Sequence, residues 1–153
     1  MRVRLRRTEL GDLDFVLAAE SDLENVPFIG QWPREEHLAA LGDGDVAHLI
    51  VTRIADGARV GYVILTGLGE AAEGVRLRRI CITEKGQGYG TETLRLVKQL
   101  VFEELGAPRL WLKVRPHNVR AQRLYAAAGM SAEPGRAEGP IVMSLARPGR
   151  DDS

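Results

Sequence analysis

The chain has 153 residues, 44% of them hydrophobic and 27% charged, the size and composition of one globular domain with a core of its own. Its 21 basic and 21 acidic residues leave a formal net charge of zero, so no overall field draws it to nucleic acid or to an anionic membrane. A single cysteine, Cys81, excludes an internal disulfide and fits a reducing compartment, and no apolar run reaches the length of a membrane span or a signal-peptide core. A cytoplasmic protein is expected.

In chain order, RVRLRR (2–7) alternates arginine with Val3 and Leu5, the pattern of a strand with one buried face. Thr8 stands where a helix N-cap belongs, before ELGDLDFVLAAE (9–20), in which Leu13, Val16 and Leu17 fall on one helical stripe. Residues 21–33 hold Pro27, Gly30 and Pro33 without a clean period and predict a loop with Phe28 and Trp32 exposed; REEHLAAL (34–41) predicts a short helix. AHLIVTRI (47–54) and RVGYVILTG (59–67) are β-rich runs joined through Asp56-Gly57, a hairpin signal. VRLRRICI (75–82) is a further strand, TETLRLVKQLVFEEL (91–105) a helix and RLWLKV (109–114) a strand. NVRAQRLYAAAG (118–129) reads as a helix capped by Asn118 and stopped by Gly129, and IVMSLA (141–146) as the last strand. The order predicts an α/β fold with a mixed sheet, one domain over 1–146 and a flexible tail at 147–153. Residues 75–114 form one right-handed, parallel strand–helix–strand unit within it.

The loop EKGQGYG (84–90), which joins that strand to that helix, carries glycine at every second position, Gly86, Gly88 and Gly90. Glycines between a strand and a helix put unhindered backbone N–H groups at the positive end of a helix dipole, which is an anion site and most often a phosphate site. The Walker pattern fails, because Tyr89, Gly90 and Thr91 stand where it needs Gly-Lys-Ser/Thr; the dinucleotide fingerprint G-x-G-x-x-G fails on spacing and on its place past mid-chain.

The strand RRICI, the loop EKGQGYG and the segment LWLKVRPHNVRAQRLYAAAGM together resemble the acetyl-CoA-binding core of the GNAT N-acetyltransferases. That family's loop reads Arg or Gln, two residues, Gly, one residue, then Gly or Ala. It maps onto Lys85, Gly86, Gln87, Gly88, Tyr89 and Gly90. Its later Asn, A-x-x-L-Y and terminal G-F map onto Asn118, Ala121, Leu124, Tyr125 and Gly129-Met130. Lys85 departs from the family's Arg or Gln, keeping the cation without the fork, and Met130 replaces Phe at similar apolar volume. Within the family, GYGTETL and N-x-R-A-x-x-L-Y look most like the branch of ribosomal-protein and spermidine acetyltransferases.

The resemblance implies a mostly antiparallel sheet flanked by helices on both faces, and acetyl-CoA as co-substrate. It implies that Lys85 to Gly90, Thr91, Asn118 and Ala121 hold the cofactor, while backbone groups of Ile80 and Ile82 pair with its pantetheine arm. Tyr125 is implied as the general acid for direct acetyl transfer to a primary amine of a small molecule or peptide, without a covalent intermediate or a metal. A core tyrosine on an amphipathic helix is the plainer reading of Tyr125. A CoA-binding sensor or partner-binding module without turnover, or an enzyme for longer acyl chains, are the alternatives, and a homodimer is compatible with either. Cys81, inside an apolar strand with no local base, reads as a buried hydrophobe rather than a nucleophile. Glu24, Glu35 and His37 fall near the expected acceptor wall and read first as solvated surface groups. His117 precedes a helix cap, and a water relay serves as well as any of these as base. Arg76, Arg78 and Arg79 put arginine on both faces of one strand, which favours either an acceptor with a carboxylate or a salt bridge to a neighbouring helix.

Overall fold

The computed structural model describes residues 1–22, 31–135 and 139–148. Its strands are β1 (Val3–Arg7), β2 (Val46–Arg53), β3 (Arg59–Thr66), β4 (Val75–Ile82), β5 (Arg109–Val114), β6 (Ser131–Ala132) and β7 (Ile141–Ala146), and its α-helices α1 (Leu13–Ser21), α2 (Arg34–Leu41), α3 (Tyr89–Gln99) and α4 (Val119–Ala127). The strands make one sheet ordered β1-β2-β3-β4-β5-β7-β6. All pairs are antiparallel except β4 with β5, so the expected mixed sheet with one parallel crossover is what forms.

Period-two alternation divides the apolar residues between the faces. Val63 and Leu65 of β3 join Leu110 and Leu112 of β5 in a core beneath α3 and α4, which add Leu94, Val97 and Tyr125. Tyr62 and Ile64 of the same β3 face the other way, with Ile50, Val16 and Ala19 under α1. Helices therefore cover both faces. The α3 stripe runs on through a π turn, Leu100–Glu104, that keeps Val101 and Phe102 buried.

β4 departs from simple alternation, and that corrects one expectation. Its register against β3 slips between Ile64↔Arg79 and Leu65↔Leu77, which makes Arg78 an extra, bulged residue. Val75 and Leu77 point into the α3/α4 core before the bulge, and Ile80 and Ile82 pack on that same core after it. The bulge thereby brings Arg76 to the face of Arg79 and Cys81, the α1/α2 side, rather than leaving arginine on both faces.

β4 also parts from β5. The two pair only at Val75↔Leu110 and Arg76↔Trp111, whereas on its opposite edge β5 pairs with β7 along its whole length, from Arg109↔Ala146 to Val114↔Ile141. Beyond Arg76, the β5-facing edge of β4 has no strand partner among the described residues, and the gap opens toward the C-terminal ends of both strands.

Other expectations shift locally. The first helix opens with a 3-10 turn at Leu10–Asp12 whose N-cap is Glu9, so Thr8 is not the cap; its hydroxyl is turned inward to the His48 ring. Trp32 is half-buried against the α1 core rather than exposed. The final hairpin is short, with the two-residue β6 pairing at Ser131↔Ser144 and Ala132↔Met143. Phe28, Glu24 and the residues after Pro148 lie outside the described residues.

Candidate active site

The loop after β4 is built by its glycines. Gly86 and Gly88 both hold φ of +77°, a left-handed conformation that a side chain disfavours. Gly88 is the N-cap of α3 and has no side chain to cap the first turn, so the N–H groups of Tyr89, Gly90 and Thr91 begin the helix without a side-chain partner. The third glycine, Gly90, differs: it has no left-handed φ, and a Cβ there would stand in ordinary contact with the Leu124 side chain of α4 at 3.4 Å. In Gly86→Val nothing lies within 4 Å of the new Cβ, which leaves backbone strain as the only disturbance. The variant is expected to fold normally by circular dichroism and to bind acetyl-CoA about tenfold more weakly by calorimetry.

The gap between β4 and β5 is a cleft of about 1110 Å³. Ile80 and Ile82 line it from β4, and Lys85, Gly86, Gly88, Tyr89, Gly90 and Thr91 from the glycine loop and the start of α3. Asn118, Ala121 and Tyr125 line it from α4. Gln87 is exposed and is not among the lining residues, so of the residues the resemblance nominated it alone stands outside the cleft. Asn118 caps α4 as expected, its Oδ1 accepting the Ala121 N–H at 3.1 Å. The helix ends where Met130 N–H returns to the Tyr125 carbonyl at 3.0 Å and Gly129 turns at φ +98°. Asn118 and Tyr125, seven residues and nearly two turns apart, share the face that meets the cleft.

Burial pushes the Tyr125 phenol up to about 12, so it keeps its proton at neutral pH. Burial likewise pushes the Cys81 thiol up to about 11, in agreement with an inert core cysteine. Among the described residues that line the cleft, Glu84 is the only carboxylate, and it is bonded to Arg53 at 2.6 Å. Cations dominate the rest of the polar lining, so the cleft suits an anionic ligand. Its splayed strands, uncapped helix start and Lys85 fit a chain-like molecule that carries phosphates.

Behind β4, on the α1/α2 face, lies a polar cluster that the sequence reading missed. Glu20 is 1% exposed and His37 0%; His37, read as a solvated surface group, is in fact core. Glu20 Oε1 accepts from His37 Nε2 at 2.8 Å, from Tyr62 Oη at 2.9 Å and from Arg79 Nη1, and Oε2 accepts the Trp32 N–H at 3.2 Å. His37 Nδ1 meets His48 Nε2 at 3.0 Å, and His48 Nδ1 meets the Thr8 hydroxyl at 2.7 Å. Burial pulls Glu20 upward, but the His37 and Tyr62 hydrogen bonds and the His37 and Arg79 charges outweigh it and hold the carboxyl below its usual range. An ionised Glu20 accepts from His37 Nε2, and the chain Glu20–His37–His48–Thr8 continues through ring nitrogens whose donor and acceptor roles follow the tautomers of the two histidines. Three of the four donors crowd Oε1 and the fourth reaches Oε2, and at 1% exposure the carboxylate lies away from solvent, which makes it a structural anchor tying α1 to α2, β3 and β4. No group of three or more His, Cys, Asp or Glu among the described residues is arranged to hold a metal ion.

Two signals could have found this cluster. Glu20 lies four residues after Val16 and seven after Leu13, on the apolar stripe of α1, and His48 interrupts the apolar run AHLIV. Burial pushes His48 down to about 4, aided by the His37 charge. Its unfolded value is near 6.5, so the neutral ring contributes stability that is fully present above about pH 6.5 and is lost as pH falls toward 4. Thermal melts across that window should show a loss on the order of 3 kcal/mol from this residue. A flat stability curve between those values would mean that the ring is charged or solvated.

A sequence model described as an acetyltransferase (GNAT) domain matches residues 2–131. No curated protein matches the chain. Among solved structures, the spermidine N-acetyltransferase of Vibrio cholerae in complex with CoA and spermine superposes with a TM-score of 0.81 at 19% identity, covering 95% of this chain and 96% of that one. A domain from Methanocaldococcus jannaschii superposes with a TM-score of 0.78 at 17% identity, over 95% and 98% of the two chains. The family match spans most of the chain and the same fold recurs at full length: this chain belongs to the GNAT acetyltransferases, which use acetyl-CoA.

Proposed function

We propose that the protein transfers the acetyl group of acetyl-CoA to a primary amine by direct attack in a ternary complex. One observation carries this reading: the uncapped start of α3 and Tyr125 of α4 line the same cleft. The backbone N–H groups of the glycine loop, with Lys85 beside them, receive the pyrophosphate. The unpartnered edge of β4 at Ile80 and Ile82 receives the pantetheine amides, and an N–H there faces the developing oxyanion. Asn118 and Ala121 close the α4 side of the arm.

The neutral amine adds to the thioester carbonyl; as the C–N bond forms and the C–S bond breaks, the thiolate takes the Tyr125 proton. The phenolate then recovers a proton from the ammonium through solvent, so no net charge remains on the enzyme. Because Tyr125 is pushed up to about 12, the donor is loaded throughout the working pH range. The buried, protonated Cys81 argues against an acetyl-cysteine intermediate.

Release of free CoA from acetyl-CoA, assayed against a panel of amines, tests the proposal. Amine-dependent release with formation of the N-acetyl product supports it. Tight acetyl-CoA binding without release for any amine would favour a sensor, and faster release from longer acyl thioesters would favour the other enzyme reading.

A further inference from the structure

The three arginines of β4 stand at the narrow end of the cleft, and their surroundings differ. Arg79 is neutralised: it donates to Glu20 and its guanidinium lies 5.1 Å from the Trp32 ring centroid. Arg76 is not. It lines the cleft and its guanidinium lies 5.1 Å from the Trp111 ring centroid, yet its Nε is buried with no hydrogen-bond partner. Among the described residues no carboxylate pairs with Arg76 or with the exposed Arg78 beside it. Burial and the Arg78 charge push the Arg76 guanidinium down, the mark of a cation that lacks an anion.

The cofactor does not supply that anion in the binding mode described above. Arg76 is six residues along β4 from Ile82, about 20 Å at strand rise, and the glycine loop that takes the pyrophosphate lies beyond Ile82. The bulge at Arg78 further turns Arg76 to the α1/α2 face, whereas the loop helix and Tyr125 belong to the α3/α4 side. An acceptor whose amine reaches the gap from the α1/α2 face would therefore lay its remaining atoms over Arg76 and Trp111.

We propose that Arg76, backed by Trp111 and flanked by Arg78, binds a carboxylate on the acceptor, so that the acceptor is an amino acid or an acidic peptide and not a simple polyamine. The inference rests on the acetyl-transfer reading for its substrate role. It runs against carrying over the spermine of the Vibrio cholerae structure, because a polycation would meet unpaired arginines here. A guanidinium can grip a carboxylate by two parallel hydrogen bonds, and Arg76, which lines the cleft with its Nε sealed away, has its two terminal nitrogens for such a grip.

Matched acceptors that differ only in the carboxylate test this: lysine against 1,5-diaminopentane, and an acidic dipeptide against its neutral amide, with spermidine alongside. The carboxylate-bearing member of each pair should have a kcat/KM on the order of 10–100-fold higher. The lysine and dipeptide arms separate a free amino acid from a peptide as the source of the carboxylate. Arg76→Gln should abolish the preference by raising the acceptor KM, with kcat and the KM for acetyl-CoA little changed. Arg76→Lys should restore it in part, which a merely structural role would not do. Preference for the decarboxylated member or for spermidine, or an unchanged ratio in Arg76→Gln, would overturn the proposal. Equilibrium binding by tryptophan fluorescence in the presence of CoA keeps the two readings apart. Selective, Arg76-dependent binding of the carboxylate member without any turnover would sink acetyl transfer and uphold the anion site; equal binding of both members would sink the anion site whatever the turnover.

Discussion

Tyr125→Phe should lower the rate of acetyl transfer by on the order of 10²–10⁴-fold, the range lost with a positioned general acid. The change removes one oxygen and keeps the ring, which packs with Leu94, Val97 and Leu112 in the larger core, so folding and acetyl-CoA affinity should hardly move. Since the lost interaction is made mainly in the transition state, kcat and kcat/KM should fall together while the KM for acetyl-CoA stays close to its original value. The pH profile offers a second check. With its phenol pushed up to about 12, Tyr125 should impose no alkaline limb on the rate below about pH 11. A Phe variant with near wild-type turnover, measured where chemistry limits the rate, would reduce Tyr125 to a packing residue and leave solvent as the proton donor.

Glu20→Ala should be the most destabilising single change in the polar cluster, by about 3–5 kcal/mol. It strips the partner from Arg79, whose side chain is 7% exposed, and leaves the Tyr62 hydroxyl and the His37 Nε2–H without their acceptor. At this chain length that corresponds to a fall in melting temperature of roughly 6–20 °C. Adding Arg79→Met to Glu20→Ala should recover part of the loss, because it removes the stranded charge. If the double variant is no more stable than the single one, the stranded Arg79 charge is not what the single change exposes.

What the sequence revealed and what it hid divide along one physical line, between local and non-local determinants. The glycine loop, the Asn118 cap and the Gly129 stop are local: a few adjacent residues decide backbone conformation, and each stands in the structure where the pattern put it. The parallel unit followed from the same local logic, since a strand, a helix and a strand in immediate succession have few ways to close. The bulge at Arg78 is a matter of register between β3 and β4, and the text RLRR reads as plain alternation until the pairing is known. The same holds for Glu20, His37 and His48. They are 28 residues apart at most, and a charged residue on a short helix is ordinarily solvated; only the stacking of α1 and α2 over β2 and β3 makes them each other's partners. The Thr8 error came from the same source, because its hydroxyl finds His48 across the sheet rather than the helix beginning beside it. The opening of β4 from β5 was equally invisible, since it is a matter of how far two strands distant in sequence stay paired, and it is this opening that makes the cleft.

The most direct measurement is a single turnover with enzyme in excess over acetyl-CoA labelled in the acetyl group, with and without an amine substrate. Direct attack across the β4–β5 cleft requires that label reach the amine at the rate free CoA appears, and that none reside on the protein at any time, with or without amine. Label found on the chain before amine is added, at Cys81 or elsewhere, or free CoA appearing without amine, would contradict transfer in a ternary complex.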